Sequence, residues 1–409
     1  MLSPLALPVR LSVFLVACAL IVPNGVSQLL QPDNPAAALT VNPFNADAGI
    51  AAIARALAAS ELAPGSLEAL RGTAERTLAA APGDARAMSA LGAVLEREGD
   101  RDGGYALFEQ ARAISATEIH AILRLLDRSL AAGEHAEVLD LIDVALRRWP
   151  SYWPQLAEVL TYMAGTPDGR SELADRLGQR PPWRSSALRH LLRTEAGLPM
   201  VSALVGAELA AGAPADAGDV NAVIAALVGR GAVASAYQLF MASLSPEERS
   251  VAGYVFDPGF TQPAGRYHFG WSFRQGTGAE MRLGIDAPGS GGLLVRFLDS
   301  PARLGGVAQL LRLPTGRYSL AMEADASQLQ APRGLYWRLA CVGGRQGELV
   351  RLAAETGSYA ARASEVTFEV PATDCALQRL SLETGVETDS WRDRYSGSFS
   401  VRSVSVTRL

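Results

Sequence analysis

The sequence predicts an α + β chain in which a solenoid of α-helical repeats precedes an antiparallel β-sandwich. Two observations support this fold class. Gly65, Gly99 and Gly133 recur every 34 residues, an interval typical of stacked helical hairpins. After about residue 250 the apolar residues alternate with a period of two, which is typical of β-strands.

The second repeat unit, about residues 84–118, shows why each unit is predicted to be a pair of helices. Four residues with i, i+3, i+4 and i+7 spacing share one face of a first helix: Met88, Leu91, Gly92 and Leu95. Gly99 then ends this helix, because glycine readily adopts the positive φ of a C-cap. In the second helix Phe108 and Ala111 share a face with Gly104, so small residues let the helices approach while Phe108 fills the space between them.

This pattern resembles the tetratricopeptide repeat, with Met88 where the family often has tryptophan and Ala116 where it often has proline. The resemblance implies a concave groove that binds a protein partner. A fourth match surrounds Gly231, out of phase with the other three, so the predicted helical domain, residues 47–250, contains irregular helices. These are predicted at Trp153–Gly165, Arg170–Gly178, Ser185–Ala196, Met200–Ala211 and Asp219–Gly229.

The composition excludes several function classes. The net charge is −5 and no basic stripe is present, so nucleic acid is not an expected partner. All 37 basic residues other than histidine are arginine. The absence of lysine excludes P-loop and Schiff-base mechanisms.

Residues 1–27 are predicted to be a signal peptide or membrane anchor. Arg10 precedes an apolar run over residues 11–22, whose length suits a signal-peptide core better than a bilayer span. Cleavage after Ser27 would satisfy the small-residue rule, and a lipobox ending at Cys18 is an alternative. Residues 28–46 are predicted to be a linker. We therefore expect an exported protein in the periplasm or on the periplasmic face of a membrane, with membrane contact only through this segment.

Cys341 and Cys375 are the two cysteines that follow the N-terminal segment. An oxidising compartment would allow them to form a disulfide, worth about 3–4 kcal/mol. The alternative is a pair of buried free thiols.

The C-terminal domain, residues 251–409, is predicted to contain about nine short strands. Their apolar positions lie at residues 269–273, 281–285, 293–297, 307–311, 318–324, 335–341, 366–370, 380–382 and 397–409. Within the last strand the parity of the apolar residues changes, since Phe399 and Val401 are odd but Val404 and Val406 are even. The change predicts a β-bulge or bend near residue 402.

This half resembles jelly-roll carbohydrate-binding modules of the galactose-binding-like type. Three segments carry the resemblance: the turn and strand at residues 313–320, the strand exit at 368–371 and the closing strand at 397–409. The resemblance implies glycan binding. Ser400 and Arg402 stand where the family often has a carboxylate near a structural calcium, so we expect no metal site and no cofactor.

Candidate ligand-binding residues are aromatic side chains away from the predicted core, because sugar rings present apolar faces. Tyr336 lies on the opposite face of its strand from Trp337, which is expected in the core together with Trp271. Trp391 and Tyr395 lie in a polar loop. Tyr267, His268 and Tyr359 are further candidates.

No catalytic residues are predicted. The four histidines form no metal-binding spacing: His120, His135, His190 and His268. Glu387, Asp389 and Asp393 are the only carboxylates considered for glycoside hydrolysis. The favoured hypothesis is a non-enzymatic bacterial envelope protein that binds a protein partner and a glycan, with assembly or export of an exopolysaccharide as the expected setting. The alternatives are a scaffold without sugar binding and, less favoured, a polysaccharide hydrolase.

Overall fold

The computed structural model describes residues 12, 21–59, 65–212, 216–250, 252–286, 290–343, 347–386 and 392–409 of the 409-residue chain. The chain forms two compact units, Met1–Ala187 and Leu188–Leu409. Within the described ranges, no helix has both the length and the apolar character that a membrane crossing requires.

The first unit is helical. Helix α1 is described over residues 21–30. The following helices are α2 (Pro35–Val41), α3 (Ala46–Leu57), α4 (Ser66–Ala80), α5 (Ala85–Glu98), α6 (Arg101–Ile114), α7 (Ile119–Ala132), α8 (His135–Arg148), α9 (Trp153–Gly165) and α10 (Pro167–Gly178). Helix α11 (Arg184–Leu191) contains the division between the units.

The boundaries of the helices repeat with the predicted period of 34 residues. Helices α5 and α7 begin and end 34 residues apart, and so do α6 and α8. Gly99 and Gly133 end α5 and α7 with left-handed φ values of 100° and 75°, as predicted for C-cap glycines. Gly65 also has a left-handed φ, 78°, directly before α4.

Close packing of α5 against α6 follows from the predicted small residues. A Cβ on Gly104 would lie 2.9 Å from the Gly92 carbonyl oxygen, and one on Gly92 would lie 2.9 Å from the Phe108 ring. Phe108 and Ala111 are fully buried, and Leu91 packs against the neighbouring cluster around Ile53. The helices are therefore as close as backbone contact allows.

The segment expected to be a linker, residues 28–46, contains helical structure instead. Helix α1 continues to residue 30, and Asn34 caps α2 by accepting a 3.0 Å hydrogen bond from the Ala37 amide. Ser27 is buried, donates a hydrogen bond to the Ala38 carbonyl oxygen and accepts one from the Asn45 amide group. These contacts join α1, α2 and the start of α3.

The second unit begins with helices. They are α12 (Gly197–Ala210), α13 (Ala217–Gly229), α14 (Val233–Ser243) and α15 (Pro246–Ser250). The irregular helices predicted from residue 153 onwards are present; the clearest difference is at α11, which ends at Leu191 rather than at residue 196.

Ten strands follow in the described residues. They are β1 (Ala279–Leu283), β2 (Leu293–Phe297), β3 (Ser300–Pro301), β4 (Ala308–Leu311), β5 (Gly316–Gln330), β6 (Leu335–Cys341), β7 (Glu348–Ala353), β8 (Gly357–Val370), β9 (Gln378–Thr384) and β10 (Arg394–Arg408). One antiparallel sheet has the order β1-β2-β10-β5-β8, with β3 paired to β10, and the other has the order β4-β9-β6-β7. The predicted antiparallel β-sandwich is confirmed.

Two details of the strand prediction had different outcomes. The predicted irregularity near residue 402 is confirmed, since the pairing of β10 with β5 shifts register between Val401 and Ser403. The strand predicted at residues 269–273 is wrong, because this segment makes only an isolated bridge between Ser272 and Ala308. Its apolar alternation instead serves packing: Phe269 contacts helix α14, and Trp271 stacks on Phe260 at 4.6 Å.

The sandwich core lies between the two sheets and includes both tryptophans expected there, Trp271 and Trp337. Cys341 and Cys375 form the predicted disulfide, with their Cα atoms 5.0 Å apart. The bond fastens the end of β6 to the segment that leads into β9.

Aromatic side chains join helix α14 to the sandwich. The Phe240 ring lies 5.4–5.7 Å from the rings of Phe256, Tyr267 and Phe269. The change from helix to strand occurs near residue 250, but α12–α15 belong to the same compact unit as the sandwich. The domains predicted to meet at residue 250 are therefore not the two compact units.

Candidate functional site

The first unit contains a groove of about 1010 Å³. Its walls come mainly from α3, α5 and α7, the first helices of successive hairpins, and from the turns that precede them. The lining is mostly apolar and includes Ile50, Ala54, Leu57, Ala90, Ala93 and Ile119. We call this cavity the repeat groove.

Several polar groups of the repeat groove already have partners. Glu118 is buried and accepts hydrogen bonds from the Ser89 hydroxyl, at 2.7 Å, and from the Ala121 amide, at 2.6 Å. Arg86 donates to Asp84 at 2.6 Å and lies 2.9 Å from Asp47. This hydrogen bond from Arg86 lowers the pKa of Asp84. An occupant of the groove would therefore gain chiefly by covering its apolar surface.

Tyr336, the first predicted ligand-binding residue, lies on the outer face of the β4-β9-β6-β7 sheet. The Arg351 guanidinium covers its ring at 4.6 Å from the centroid. Ion pairs extend along the same face, since Glu348 accepts from Arg338 at 3.0 Å and from Arg351 at 2.7 Å. A sugar ring could stack on this side of Tyr336 only after Arg351 moves away.

Tyr395, the second candidate, is a core residue. Its side chain is fully buried, packs on Phe297 and donates a 2.8 Å hydrogen bond to the Gly334 carbonyl oxygen. Burial raises the pKa of its hydroxyl to about 12. The expected loop position was incorrect because β10 begins at Arg394 and directs Tyr395 into the sandwich.

Four other candidates have different positions. Trp391 lies outside the described residues, as do Glu387 and Asp389. Asp393, the third candidate carboxylate, accepts a 2.9 Å hydrogen bond from Arg333 in an ion pair. The described residues contain no group of histidine, cysteine and carboxylate side chains arranged to hold a metal ion.

A second cavity, of about 440 Å³, lies in the second unit beside strands β4 and β9. Residues from α13, from the segment 265–274 and from both strands line it, including His268, Arg274 and Arg379. Sequence reasoning proposed His268 but missed the two arginines, which are distant in the chain. We call this cavity the basic cleft.

His268 is held in place by its backbone. Its amide donates a 3.0 Å hydrogen bond to the Asn221 side-chain oxygen, and the Asn221 amide group donates to the Arg266 carbonyl oxygen at 2.7 Å. The His268 Nε2 atom is buried and has no hydrogen-bond partner in the structure. Burial lowers the pKa of this imidazole, which favours its neutral form.

No protein-family model and no curated protein matches the chain. Among solved structures, one described as "CBM4 structure and function" is 14% identical, with a TM-score of 0.28, and covers 39% of this chain and 99% of that one. TmCBM61 in complex with beta-1,4-galactotriose is 15% identical, with a TM-score of 0.26 and the same coverages. A xylan-binding domain from CBM 22 is 19% identical, with a TM-score of 0.25, and covers 38% of this chain and 96% of that one.

Likenesses at these identities and TM-scores do not identify a ligand for this chain. The assignment of the helical hairpins to the tetratricopeptide family stays a prediction.

Proposed function

We propose that this chain is a non-enzymatic binding protein of a bacterial cell envelope. The repeat groove binds a segment of a protein partner, and the β-sandwich binds a glycan, in the assembly or export of a surface polysaccharide. The observation that carries the proposal is the repeat groove itself, a large and mostly apolar cavity in which Glu118 and Arg86 are paired internally.

The lining of the repeat groove favours one kind of occupant, an amphipathic helix of the partner. Its concave wall is built from parallel rows of small and branched apolar residues on α3 and α5, such as Ala54, Leu57 and Ala93. A helix can place an apolar stripe at i, i+3, i+4 and i+7 along such a surface, with its polar face towards solvent.

The groove is tested by adding bulk and charge at Ala54, which is exposed and lines it. Wild-type protein and the Ala54→Arg variant are used as baits in envelope extracts. Ala106→Arg is the matched control, because Ala106 is an exposed helical alanine that does not line the groove. We expect a partner retained by the wild type and the control but lost from Ala54→Arg. Equal retention by all three proteins would contradict the groove assignment.

The glycan half of the proposal is tested on an array of neutral and acidic surface polysaccharides with the full chain. We expect binding to at least one glycan, with the bound glycan recovered at its original length. Shortened product would instead support the hydrolase alternative.

The scaffold alternative, in which the sandwich binds no sugar, has its own supporting observation. Tyr395 is buried, so it offers no ring face to a sugar, and Arg351 covers one face of the Tyr336 ring. Absence of binding across the array, with partner capture by the groove intact, would favour this alternative over glycan binding.

A further inference from the structure

The lining of the basic cleft has an unusual balance of charge. It includes two arginines and a histidine, together with neutral polar residues, and no aspartate or glutamate. This contrasts with the whole chain, whose net charge is −5. The cleft is therefore a local cationic site on an acidic protein.

Most polar groups in the cleft are already used within the fold. Gln309 exchanges two hydrogen bonds with the backbone of Phe256, and Ser272 donates to the Ala308 carbonyl oxygen at 2.9 Å. The Tyr267 hydroxyl donates to Glu248, and the Trp271 indole donates to the Asp257 carbonyl oxygen. These hydrogen bonds hold the walls of the cleft in place, so the groups that make them have few donors or acceptors left for a ligand.

The side chains that still have hydrogen-bonding groups for a ligand are Arg274, Arg379 and His268. Within the described residues, neither arginine forms an ion pair with a carboxylate. Arg379 donates one hydrogen bond, of 3.2 Å, to the Gly305 carbonyl oxygen, while the Arg274 amide donates to the adjacent Gly306 carbonyl oxygen at 3.1 Å. The adjacent carbonyl groups of Gly305 and Gly306 thus bind two residues that are far apart in sequence.

The close contact with the Arg274 backbone requires glycine at position 306. A Cβ on Gly306 would lie 2.1 Å from the Arg274 carbonyl oxygen, so the two backbones are in direct contact. The close approach explains how the 265–274 segment lies against the sandwich without forming a regular strand.

We propose that the basic cleft binds the carboxylate of an acidic saccharide, such as a uronic acid residue of a polysaccharide. Guanidinium groups bind carboxylates through paired, charge-assisted hydrogen bonds, and both arginines have donors left for this. The cleft volume of about 440 Å³ lies in the range of small-ligand sites. This inference rests on the proposed glycan-binding function and specifies the class of glycan.

The test uses isothermal titration calorimetry of the full chain with galacturonate and glucuronate trisaccharides. Each is compared with its carboxyl-reduced counterpart, which has the same linkage and length but no charge. We expect the acidic form to bind at least about tenfold more tightly, because hydrogen bonds to a charged group contribute about 1.5–3 kcal/mol.

Variants then test whether the cleft is responsible for the preference for acidic trisaccharides. The double substitution Arg274→Gln with Arg379→Gln should remove it, while Arg379→Lys should keep part of it, since the charge remains but the planar fork is lost. Arg296→Gln is the matched control, because Arg296 is exposed on β2 of the other sheet and has no carboxylate partner among the described residues. Thermal melting of each variant checks that the fold is retained.

Every outcome separates the two proposals. Equal binding of acidic and reduced trisaccharides, or an equal loss in Arg296→Gln and in the double variant, would overturn the acidic-saccharide site and leave glycan binding intact. If neither these trisaccharides nor any glycan on the array binds, both the site and the glycan-binding function are overturned.

Discussion

At the residue scale, Tyr336 and Tyr395 show that aromatic character alone does not identify a ligand contact. The two side chains were proposed on the same grounds, yet Tyr395 is in the core and Tyr336 is on an outer face. The signal that separates them was present in the sequence. Tyr395 has the same odd parity as the buried Phe399 and Val401. The register shift near Gly397 does not change this parity, because the additional residues are in β5, including Gln328 at a positive φ.

Their substitution by alanine should therefore have different effects on stability. Tyr395→Ala should lower the free energy of unfolding by about 3–5 kcal/mol, since it empties a core site and leaves the Gly334 carbonyl without its donor. Tyr336→Ala should cost less than about 1 kcal/mol, because it removes a surface contact with Arg351. Urea denaturation measures both, and equal losses would contradict the assigned positions.

Two glycines of the repeat give a second prediction at this scale. Gly104→Ala should destabilise the helical unit by about 1–3 kcal/mol, because its Cβ would meet the Gly92 carbonyl oxygen at 2.9 Å. Gly72 lies inside α4, where the nearest atom to an added Cβ is the end of the Arg76 side chain at 3.6 Å. Gly72→Ala should therefore stabilise the helix by about 0.5–1 kcal/mol.

Thermal unfolding followed by circular dichroism measures these two changes. The opposite signs distinguish a packing requirement at Gly104 from a general effect of glycine on helices. If Gly104→Ala were as stabilising as Gly72→Ala, α5 and α6 would not be in the close contact that the structure shows.

At the scale of elements, the helices were more predictable than the strands. The ends of α5 and α7 follow from Gly99 and Gly133, because glycine at a C-cap is a local signal that needs no knowledge of the fold. The segment at residues 269–273 has an equally clear alternation but forms no strand, since its aromatic residues pack on α14 and Phe260. A two-residue period of apolar side chains does not reveal whether a neighbouring strand is present to pair with the backbone.

The short strands β3 and β7 were missed for a related reason. Ser300–Pro301 has only two residues, and in β7 only Leu352 is buried. Neither strand therefore has apolar residues at several alternate positions, which is the pattern that predicts a strand. Their places are fixed by pairing with β10 and β6. Pairing between distant segments cannot be inferred from one sequence.

Glu248 links helix α15 to the sandwich and gives a prediction about pH. Burial raises the pKa of Glu248, but hydrogen bonds from the Ser245 amide and the Tyr267 hydroxyl, with the charge of Arg266 at 3.0 Å, outweigh it and lower the pKa below its ordinary value of 4.5. A carboxylate with a lowered pKa in the folded state stabilises that state above its unfolded pKa. This stabilisation is lost as the pH falls through the lowered value.

Glu248→Gln should therefore reduce the melting temperature of the second unit near neutral pH, and the difference from the wild type should shrink as the pH falls below 4.5. Melting curves over this pH range provide the measurement. Glu369→Gln, which removes an exposed carboxylate on β8, serves as the control and should change little. A Glu248→Gln difference that is independent of pH would contradict the proposed role of the charged group.

At the scale of the whole molecule, each of the two compact units contains one of the proposed binding surfaces, the repeat groove or the basic cleft. The period of the sequence predicted helical hairpins, and the repeat groove lies on their first helices. The basic cleft was not predictable, because it depends on hydrogen bonds from Arg379 and Arg274, which are distant in sequence, to the adjacent carbonyl groups of Gly305 and Gly306. The sequence thus indicates a binding protein, while the positions of the unpaired donors come from the fold.

The central claim, that the repeat groove binds a protein segment, is tested most directly by photocrosslinking in cells. A photoreactive amino acid is placed at Ala54, which lines the groove, and in a matched strain at Ala106, which does not. We expect a discrete crosslinked partner from position 54 that is absent from position 106. No adduct at position 54, or the same adducts at both positions, would contradict it.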